Sequence, residues 1–352
     1  MKGVVLAGGT GSRLRPITYS MAKQLIPVAN RPIIEYGLED LAEAGITDVG
    51  IVVSPETGGE VEAAVGDGAR LGLHLTYIIQ DRPLGLAHAL RTALPFVDGD
   101  DCLMYLGDNL VKDGVRDVVA DFATHRPNCQ ILLCPVDNPA SFGVAELGPD
   151  GRIVRLVEKP KVPPSNLALV GVYLFDGSIG EAIDGIRPSA RGELEITDAI
   201  QYLVDAGRTV RASVVSGWWK DTGTKADLLT AQELVIAGLA HSVDGEVVGG
   251  RLHGAVHVGR GSRLVDCEVE GPVVVGDEAH LTRVRLGPQT SIGHGCRLTD
   301  ATVEASIVMD GAEVHGWRLR NSLLGRGARL RGSAPEAFVE VTLGERSEIV
   351  GE

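Results

Sequence analysis

The sequence predicts an α/β fold in which a mostly parallel sheet, covered by helices, is followed by a parallel β-helix. Two observations carry this. The first two thirds of the 352 residues alternate strand-like apolar runs with helical stretches, the pattern of a parallel sheet with helices on both faces. After about residue 246 a short aliphatic–glycine unit recurs at spacings of 17, 17, 16 and 16 residues. Roughly three short strands per turn of a coil give that period.

Taken in order, residues 2–7 read as a buried strand. Residues 33–44 have helical periodicity, and Pro32 suits a first turn. Residues 48–54 form a second apolar run rich in Val and Ile. Residues 60–70 read as helix, 73–79 as strand, 85–94 as helix and 101–106 as strand. A helix over 115–125 and a strand over 130–135 complete the alternation. From about 143 to 174 the strands shorten around the break Lys159-Pro160-Lys161-Val162-Pro163-Pro164, which reads as an inserted β-region walling a pocket. Helix and strand signals then return, ending in a helical stretch over 228–240.

The repeating units are Val258-Gly259-Arg260-Gly261, Val275-Gly276-Asp277, Ile292-Gly293-His294-Gly295 and Leu324-Gly325-Arg326-Gly327, with Val308-Met309-Asp310-Gly311 as a degenerate copy. In such a coil the aliphatic residue points inward and glycine permits the tight corner. The expected domains are therefore residues 1–240 and 246–352.

Composition narrows the function. The formal net charge is −14, which argues against a nucleic-acid or anionic-membrane surface. It leaves room for a small anionic ligand, because charges more than about 8–10 Å apart are largely screened at cellular salt. No apolar run is long enough to cross a bilayer, and Met1-Lys2-Gly3-Val4 runs straight into a strand without a signal-peptide pattern. A cytoplasmic protein is expected. Cys102, Cys129, Cys134, Cys267 and Cys296 are odd in number and lack Cys-x-x-Cys spacing. They read as reduced structural thiols, not as a zinc site.

Four motifs carry chemistry, and those just after strands carry most weight, because ligands of open α/β sheets bind beyond the strand ends. Gly8-Gly9-Thr10-Gly11-Ser12-Arg13 follows the first strand, and its glycines let backbone N–H groups approach a phosphate chain. A dinucleotide motif would need glycine where Leu14 stands, and no Gly-Lys-Ser/Thr of a P-loop is present. Lys23, in Lys23-Gln24-Leu25-Ile26-Pro27, offers a point charge for a phosphate. Asp108, in Leu106-Gly107-Asp108-Asn109, ends an apolar strand and is well placed for Mg²⁺, and Asn109 can bind hydroxyls. Asp221, in Trp219-Lys220-Asp221-Thr222-Gly223-Thr224, is a candidate second carboxylate for the metal. The bland alternative is that Asp221 or Thr222 caps the next helix.

These motifs occur in one order with Glu158-Lys159-Pro160 and Arg191-Gly192-Glu193-Leu194-Glu195-Ile196-Thr197-Asp198. The sequence resembles glucose-1-phosphate thymidylyltransferases over about residues 1–240, and most of all the long form with a C-terminal left-handed β-helix. The resemblance implies a Rossmann-like, glycosyltransferase-A-like nucleotidyltransferase sheet. It implies that Arg13 and Lys23 hold the triphosphate and stabilise the transition state. Asp108 and Asp221 would bind Mg²⁺. Leu6, Gly8, Gly9, Gly11, Gln24, Gln80 and Gly85 would contact the nucleotide. Asn109, Gly143, Glu158 and Gly171 would contact sugar hydroxyls, and Lys159 and Arg191 the sugar phosphate. Two departures bear on the sugar: Phe142 stands where short-form enzymes have Tyr, and Val157 replaces a Glu found in many relatives.

The expected substrates are a nucleoside triphosphate, dTTP or also UTP, and a sugar 1-phosphate; a homo-oligomer built through the β-helix is also expected. Three rival readings have their own signatures. A catalytically silent regulatory subunit would lack the charged set, which is present here. An acyltransferase in the β-helix would use one of His253, His257, His280, His294 or His315, which are scattered. An NAD-dependent oxidoreductase lacks its third glycine.

Overall fold

The computed structural model describes residues 1–332 and 337–351. The chain forms two compact units. One contains residues 1–9 and 33–221; the other contains residues 10–32 and the chain from 222 onward. In chain order the elements are β1 (Lys2–Leu6), β2 (Pro27–Val28), β3 (Arg31–Pro32), α1 (Ile33–Glu43), β4 (Asp48–Val53), α2 (Gly58–Val65), β5 (His74–Ile79), α3 (Leu86–Val97), β6 (Cys102–Leu106), β7 (Asn109–Val111) and α4 (Arg116–His125). Then come β8 (Cys129–Pro135), β9 (Gly143–Leu147), β10 (Ile153–Glu158), β11 (Leu167–Phe175), α5 (Ile179–Gly185), α6 (Ile196–Asp205), β12 (Val210–Val214), β13 (Trp219–Asp221) and α7 (Lys225–Ile236). The β-helix strands follow.

The first unit is built on a nine-stranded mixed sheet. Its main path is β10-β9-β11-β6-β1-β4-β5, and β8 pairs with β11 and β12. The half made of β6, β1, β4 and β5 is parallel. The segment expected to be an inserted β-region supplies β9, β10 and β11, which pair antiparallel. Alternate residues of a strand face opposite sides, and β1 uses this. Val4 and Leu6 pack with Ala87, Leu90 and Ala93 of α3 and with Ile200 of α6. Gly3 faces α1 so closely that a Cβ there would lie 3.2 Å from Leu41 Cδ1. Helices therefore cover both faces of the parallel half.

Three helix boundaries differ from the sequence pattern, each for a local reason. The helix expected over 60–70 stops at Val65, because Gly66 and Gly68 adopt positive φ (73° and 84°) and the chain resumes as a 3-10 turn at Ala69–Leu71. Helix α3 runs to Val97 and tolerates Pro95 in its last turn. Helix α7 starts at Lys225, earlier than its apolar pattern suggests, because Thr224 and Asp227 form a capping box. Neither Asp221 nor Thr222 caps it. Among the described residues no helix is long and apolar enough to cross a membrane.

In the second unit, residues 10–32 form three 3-10 turns followed by the β2–β3 hairpin. The remainder is α7 and three parallel sheets of seven, seven and five strands. These sheets are the faces of a parallel β-helix, consistent with the left-handed form. The register Leu264↔Leu281↔Leu298↔Val314↔Leu330 reproduces the repeat spacing. All five side chains are buried. Each such aliphatic contributes about 1.5–3 kcal/mol relative to exposure. The two glycines of each repeat do different work. A Cβ on Gly293 would lie 2.5 Å from the backbone nitrogen of Asp310 in the next coil, whereas Gly295 is needed for its φ of 64°.

Candidate active site

The parallel strands of the first unit end along one rim. There Ala7 N donates to Val52 O at 2.7 Å, Gln80 N to Val53 O at 2.9 Å and Gly107 N to Leu6 O at 3.0 Å. Leu6, Gly8, Gly9, Gln80, Asp108 and Asn109 all sit on this rim or directly past it. A Cβ on Gly8 would lie 3.4 Å from Gln80 Oε1, so the loop backbone faces that amide. The Gln80 side chain is buried, and its Nε2 is 2.9 Å from His88 Nδ1. Burial first, and then Arg91, push the His88 pKa below its ordinary value. The ring is therefore neutral near pH 7 and Nδ1 can accept the amide hydrogen. That bond turns the Gln80 carbonyl toward Gly8. His88 was absent from the sequence expectations; its only signal was its place eight residues after Gln80, on a helix.

Gly85 sits just before α3 with φ 108° and ψ 169°. A Cβ there would lie 2.4 Å from Leu194 O. The close approach joins this turn to the Arg191–Asp198 segment, as do the bonds Leu194 N to Leu84 O (2.7 Å) and Ala87 N to Leu194 O (3.1 Å).

The acidic pair is assembled by two short strands. Past β6 the chain turns through Gly107 and Asp108 into β7, which pairs antiparallel with β13 in the register Asp221↔Asn109. Asp221 thus stands opposite the neighbour of Asp108. Asn109 is buried; its Nδ2 donates to Asp108 Oδ1 at 2.9 Å, and its Oδ1 accepts from Trp219 Nε1 at 2.5 Å. Among the described residues no group of three or more His, Cys, Asp or Glu is placed to hold a metal ion. Asp108 lies in the turn before β7 and Asp221 on β13; one or two carboxylates, with the remaining positions left to phosphate oxygens and water, are what Mg²⁺ uses. The donor set fits that ion.

Trp219 also ties this pair to Phe142. Its ring meets Phe142 edge-on at 5.2 Å between centroids, a contact worth about 0.5–1.5 kcal/mol beyond its buried area. Phe142 O accepts from Lys159 N at 3.0 Å. Gly143 and Glu158 pair across β9 and β10, and a Cβ on Gly143 would lie 2.7 Å from Thr197 Cγ2 and 3.1 Å from Glu158 Oε2. Gly171, in β11, is packed on Leu106, with a Cβ there only 2.7 Å from that side chain.

Charge is dense here. Glu158 lies 3.2 Å from Arg191 and 3.5 Å from Lys159 Nζ. Arg191 also meets Glu193 at 3.0 Å and Glu195 at 3.4 Å. Burial chiefly, with Glu158 and Glu193 adding, raises the Glu195 carboxyl, against the lowering effect of the Ser189 hydroxyl and Arg191. Burial and then Glu158 raise Asp198. Gly143, Glu158, Lys159 and Arg191 are therefore one cluster, with Thr197 and Glu195 as members that sequence reasoning did not single out. Both lay inside a quoted motif, but nothing in its spacing distinguished them.

The remaining candidates belong to the second unit. Gly11 has φ 59°, and its carbonyl accepts from Thr18 Oγ1 at 2.8 Å and from Leu14 N at 2.9 Å. A Cβ on it would lie 3.1 Å from Lys23 Cβ, so Gly11 and Lys23 are neighbours. Arg13 is exposed. Lys23 is only 6% exposed, so it is not a solvated surface lysine. Gln24 is buried, and its Oε1 has no hydrogen-bond partner among the described residues. An unmet buried acceptor costs about 1–3 kcal/mol, so a water, ion or ligand donor there would be favourable.

The β-helix histidines do not form a site. His253, His280, His294 and His315 are exposed single residues, and His257 is bonded through Nδ1 to Ser242 Oγ at 2.6 Å.

The Nucleotidyl transferase family profile matches residues 2–237. A glucose-1-phosphate thymidylyltransferase of Streptomyces griseus is 51% identical over 338 residues, covering 96% of this chain and 95% of the relative. One from Streptomyces antibioticus is 48% identical over 354 residues, covering 99% of each chain. The crystal structure of a Bacillus anthracis protein assigned as a glucose-1-phosphate thymidylyltransferase, in complex with sucrose, is 40% identical. It superposes with a TM-score of 0.63 over 66% of this chain and 94% of that one.

Proposed function

The chain belongs to the nucleotidyl transferase family, and from that premise we propose that it transfers the thymidylyl group of dTTP to glucose 1-phosphate, giving dTDP-glucose and pyrophosphate. The observation that carries this reading is the chain of contacts from Asp108 through Asn109, Trp219 and Phe142 to the Glu158–Lys159–Arg191 cluster. It supports a reading in which the acidic pair would serve a metal-bound triphosphate and the charged cluster a sugar phosphate.

The reaction is a displacement. A phosphate oxygen of the sugar 1-phosphate, already ionised near neutral pH, attacks the α-phosphorus. The new O–P bond forms as the bond to pyrophosphate breaks, and no general base is needed. The protein's part is alignment and charge neutralisation. Arg13 and Lys23 hold the triphosphate, and Gln24 offers its unmet carbonyl to a nucleotide donor. Gln80, turned by His88, reads the base with Leu6, Gly8 and Gly85, and Gly9 and Gly11 give the loop its approach. Asn109, Gly143, Glu158 and Gly171 receive the sugar, and Lys159 and Arg191 its phosphate. Asp108 and Asp221 would hold Mg²⁺, which when bound neutralises charge on the triphosphate.

In this reading residues 1–240 are the catalytic domain and 246–352 a β-helix domain, and the reaction is cytoplasmic. The test is pyrophosphate release from Mg²⁺, a panel of sugar 1-phosphates and each nucleoside triphosphate. Fastest release is expected with dTTP and glucose 1-phosphate. UTP should be slower by no more than about 10–200-fold, since one methyl is worth only ~1–3 kcal/mol. Faster release with another sugar would move the assignment to that hexose and implicate Phe142 and Val157. No release with any pair would end the proposal.

A homo-oligomer is part of the same reading. The first and last coils leave sheet edges, and Val350 there is 71% exposed. Light scattering on the full chain should give more than one copy per particle, and a monomer would remove the β-helix from that role.

A further inference from the structure

Residues 10–32, which carry Gly11, Arg13, Lys23 and Gln24, fold with the β-helix and α7 as one compact unit. Polar bonds at the segment's last turn are part of the attachment. Strands β2 and β3 pair as Pro27↔Pro32 and Val28↔Arg31, so Ala29 and Asn30 are the two residues of a tight hairpin turn. Both have positive φ, 52° and 64°, as a two-residue turn of this kind requires. Asparagine accepts that conformation and alanine resists it, so contacts outside the hairpin must help hold it.

Two side chains supply them. Asn30 Nδ2 donates to Ile292 O, on an inner strand of the β-helix, at 2.7 Å. The second is Gln232 of α7, fully buried. Its Oε1 accepts from Ser291 Oγ at 2.6 Å and from Ala29 N at 3.5 Å. Its Nε2 donates to Gln289 O at 2.8 Å and to Ser306 O at 3.1 Å. Both amide protons and both lone-pair directions of this glutamine are used. At the other end of the segment Gly344 approaches Pro16 so closely that a Cβ on it would lie 3.3 Å from Pro16 O. Only the buried Ile26 separates the Lys23–Leu25 turn from β2, so a shift of the hairpin reaches Lys23 and Gln24 within a few bonds.

We propose that the β-helix is a working part of the active site, with Asn30 and Gln232 as positioning residues that fix the Arg13–Gln24 segment. The chemical half rests on the nucleotidyltransferase reading; the mechanical half does not.

Two variants separate the halves. Asn30→Gly keeps the turn's positive φ and removes only the bond to Ile292, so it leaves the fold intact. Gln232→Leu keeps the volume and removes the shared amide. Hydrogen exchange of the backbone over residues 10–32 is measured beside steady-state kinetics for each substrate and the thermal midpoint. In both variants exchange over residues 22–28 should quicken by about tenfold or more. The kcat should fall by about ten- to a hundredfold, as for a misplaced catalytic group. The KM for glucose 1-phosphate should stay unchanged, and Asn30→Gly should melt as the parent does. Unchanged exchange overturns the proposal, and so does faster exchange with full kcat or a lower kcat without faster exchange. If the parent protein turns over no substrate pair, the enzyme reading falls, and exchange alone still decides whether the β-helix holds the segment.

Discussion

Asp108→Asn is expected to lower kcat by about a hundred- to a thousandfold, the range for losing one electrostatic contact to a developing charge. The substitution is chosen to spare the fold. An asparagine at 108 keeps an oxygen to accept from Asn109 Nδ2, the 2.9 Å bond that orders this turn, and only the charge is lost. Asp221→Asn should behave alike, because β13 sets it opposite Asn109. If both carboxylates serve one bound ion, as proposed, the double variant should cost far less than the product of the two. Pyrophosphate release and a thermal melt on each variant check this. Near-normal turnover in Asp108→Asn, with the fold intact, would take the metal assignment away from this pair.

Arg13→Ala should cost about as much, a hundred- to a thousandfold in kcat, with almost no change in the melting temperature. The side chain is exposed and therefore contributes little to folding. Arg13→Lys should recover part of the loss, because an ammonium restores the charge but not the planar fork that matches phosphate oxygens. The KM for the sugar 1-phosphate should hold steady in both if, as proposed, Lys159 and Arg191 receive that phosphate. Single-turnover and steady-state rates separate the two effects. A raised sugar-phosphate KM with unchanged kcat would put Arg13 at the wrong end of the reaction.

Much of the molecule was legible in the order of its residues, for physical reasons that also explain what was not. Strands β1, β4 and β6 are buried on both faces, so they read as continuous apolar runs. The β-helix declared itself because each coil must repeat an inward aliphatic and a close-packed glycine. Asp108 stood out as a charge ending such a run, Lys23 as a charge shortly after the glycine loop, and Asp221 as a candidate second carboxylate. Contacts that join distant segments leave no local period. Trp219 meets Asn109 across 110 residues, and Asn30 reaches Ile292 across 262; neither pairing has a spacing to detect. The β7–β13 pair that places Asp221 has three residues per strand, too few to show alternation. Glu195 and Thr197 sat in a quoted motif, yet only the fold shows that they close around Glu158 and Arg191. The grouping of residues 10–32 with the C-terminal chain was equally hidden, because periodicity reports which face of an element is buried and not what buries it.

On the proposed function, the paired carboxylates and the Arg13–Gln24 segment would act on one triphosphate. A crystal structure with a non-hydrolysable dTTP analogue and Mn²⁺, which scatters anomalously, tests it most directly. The account expects an anomalous peak shared by the carboxylates of Asp108 and Asp221, with the analogue's phosphates against Arg13 and Lys23 and a donor of the nucleotide on Gln24 Oε1. A nucleotide bound away from either group, or a metal peak that shuns both aspartates, would contradict it.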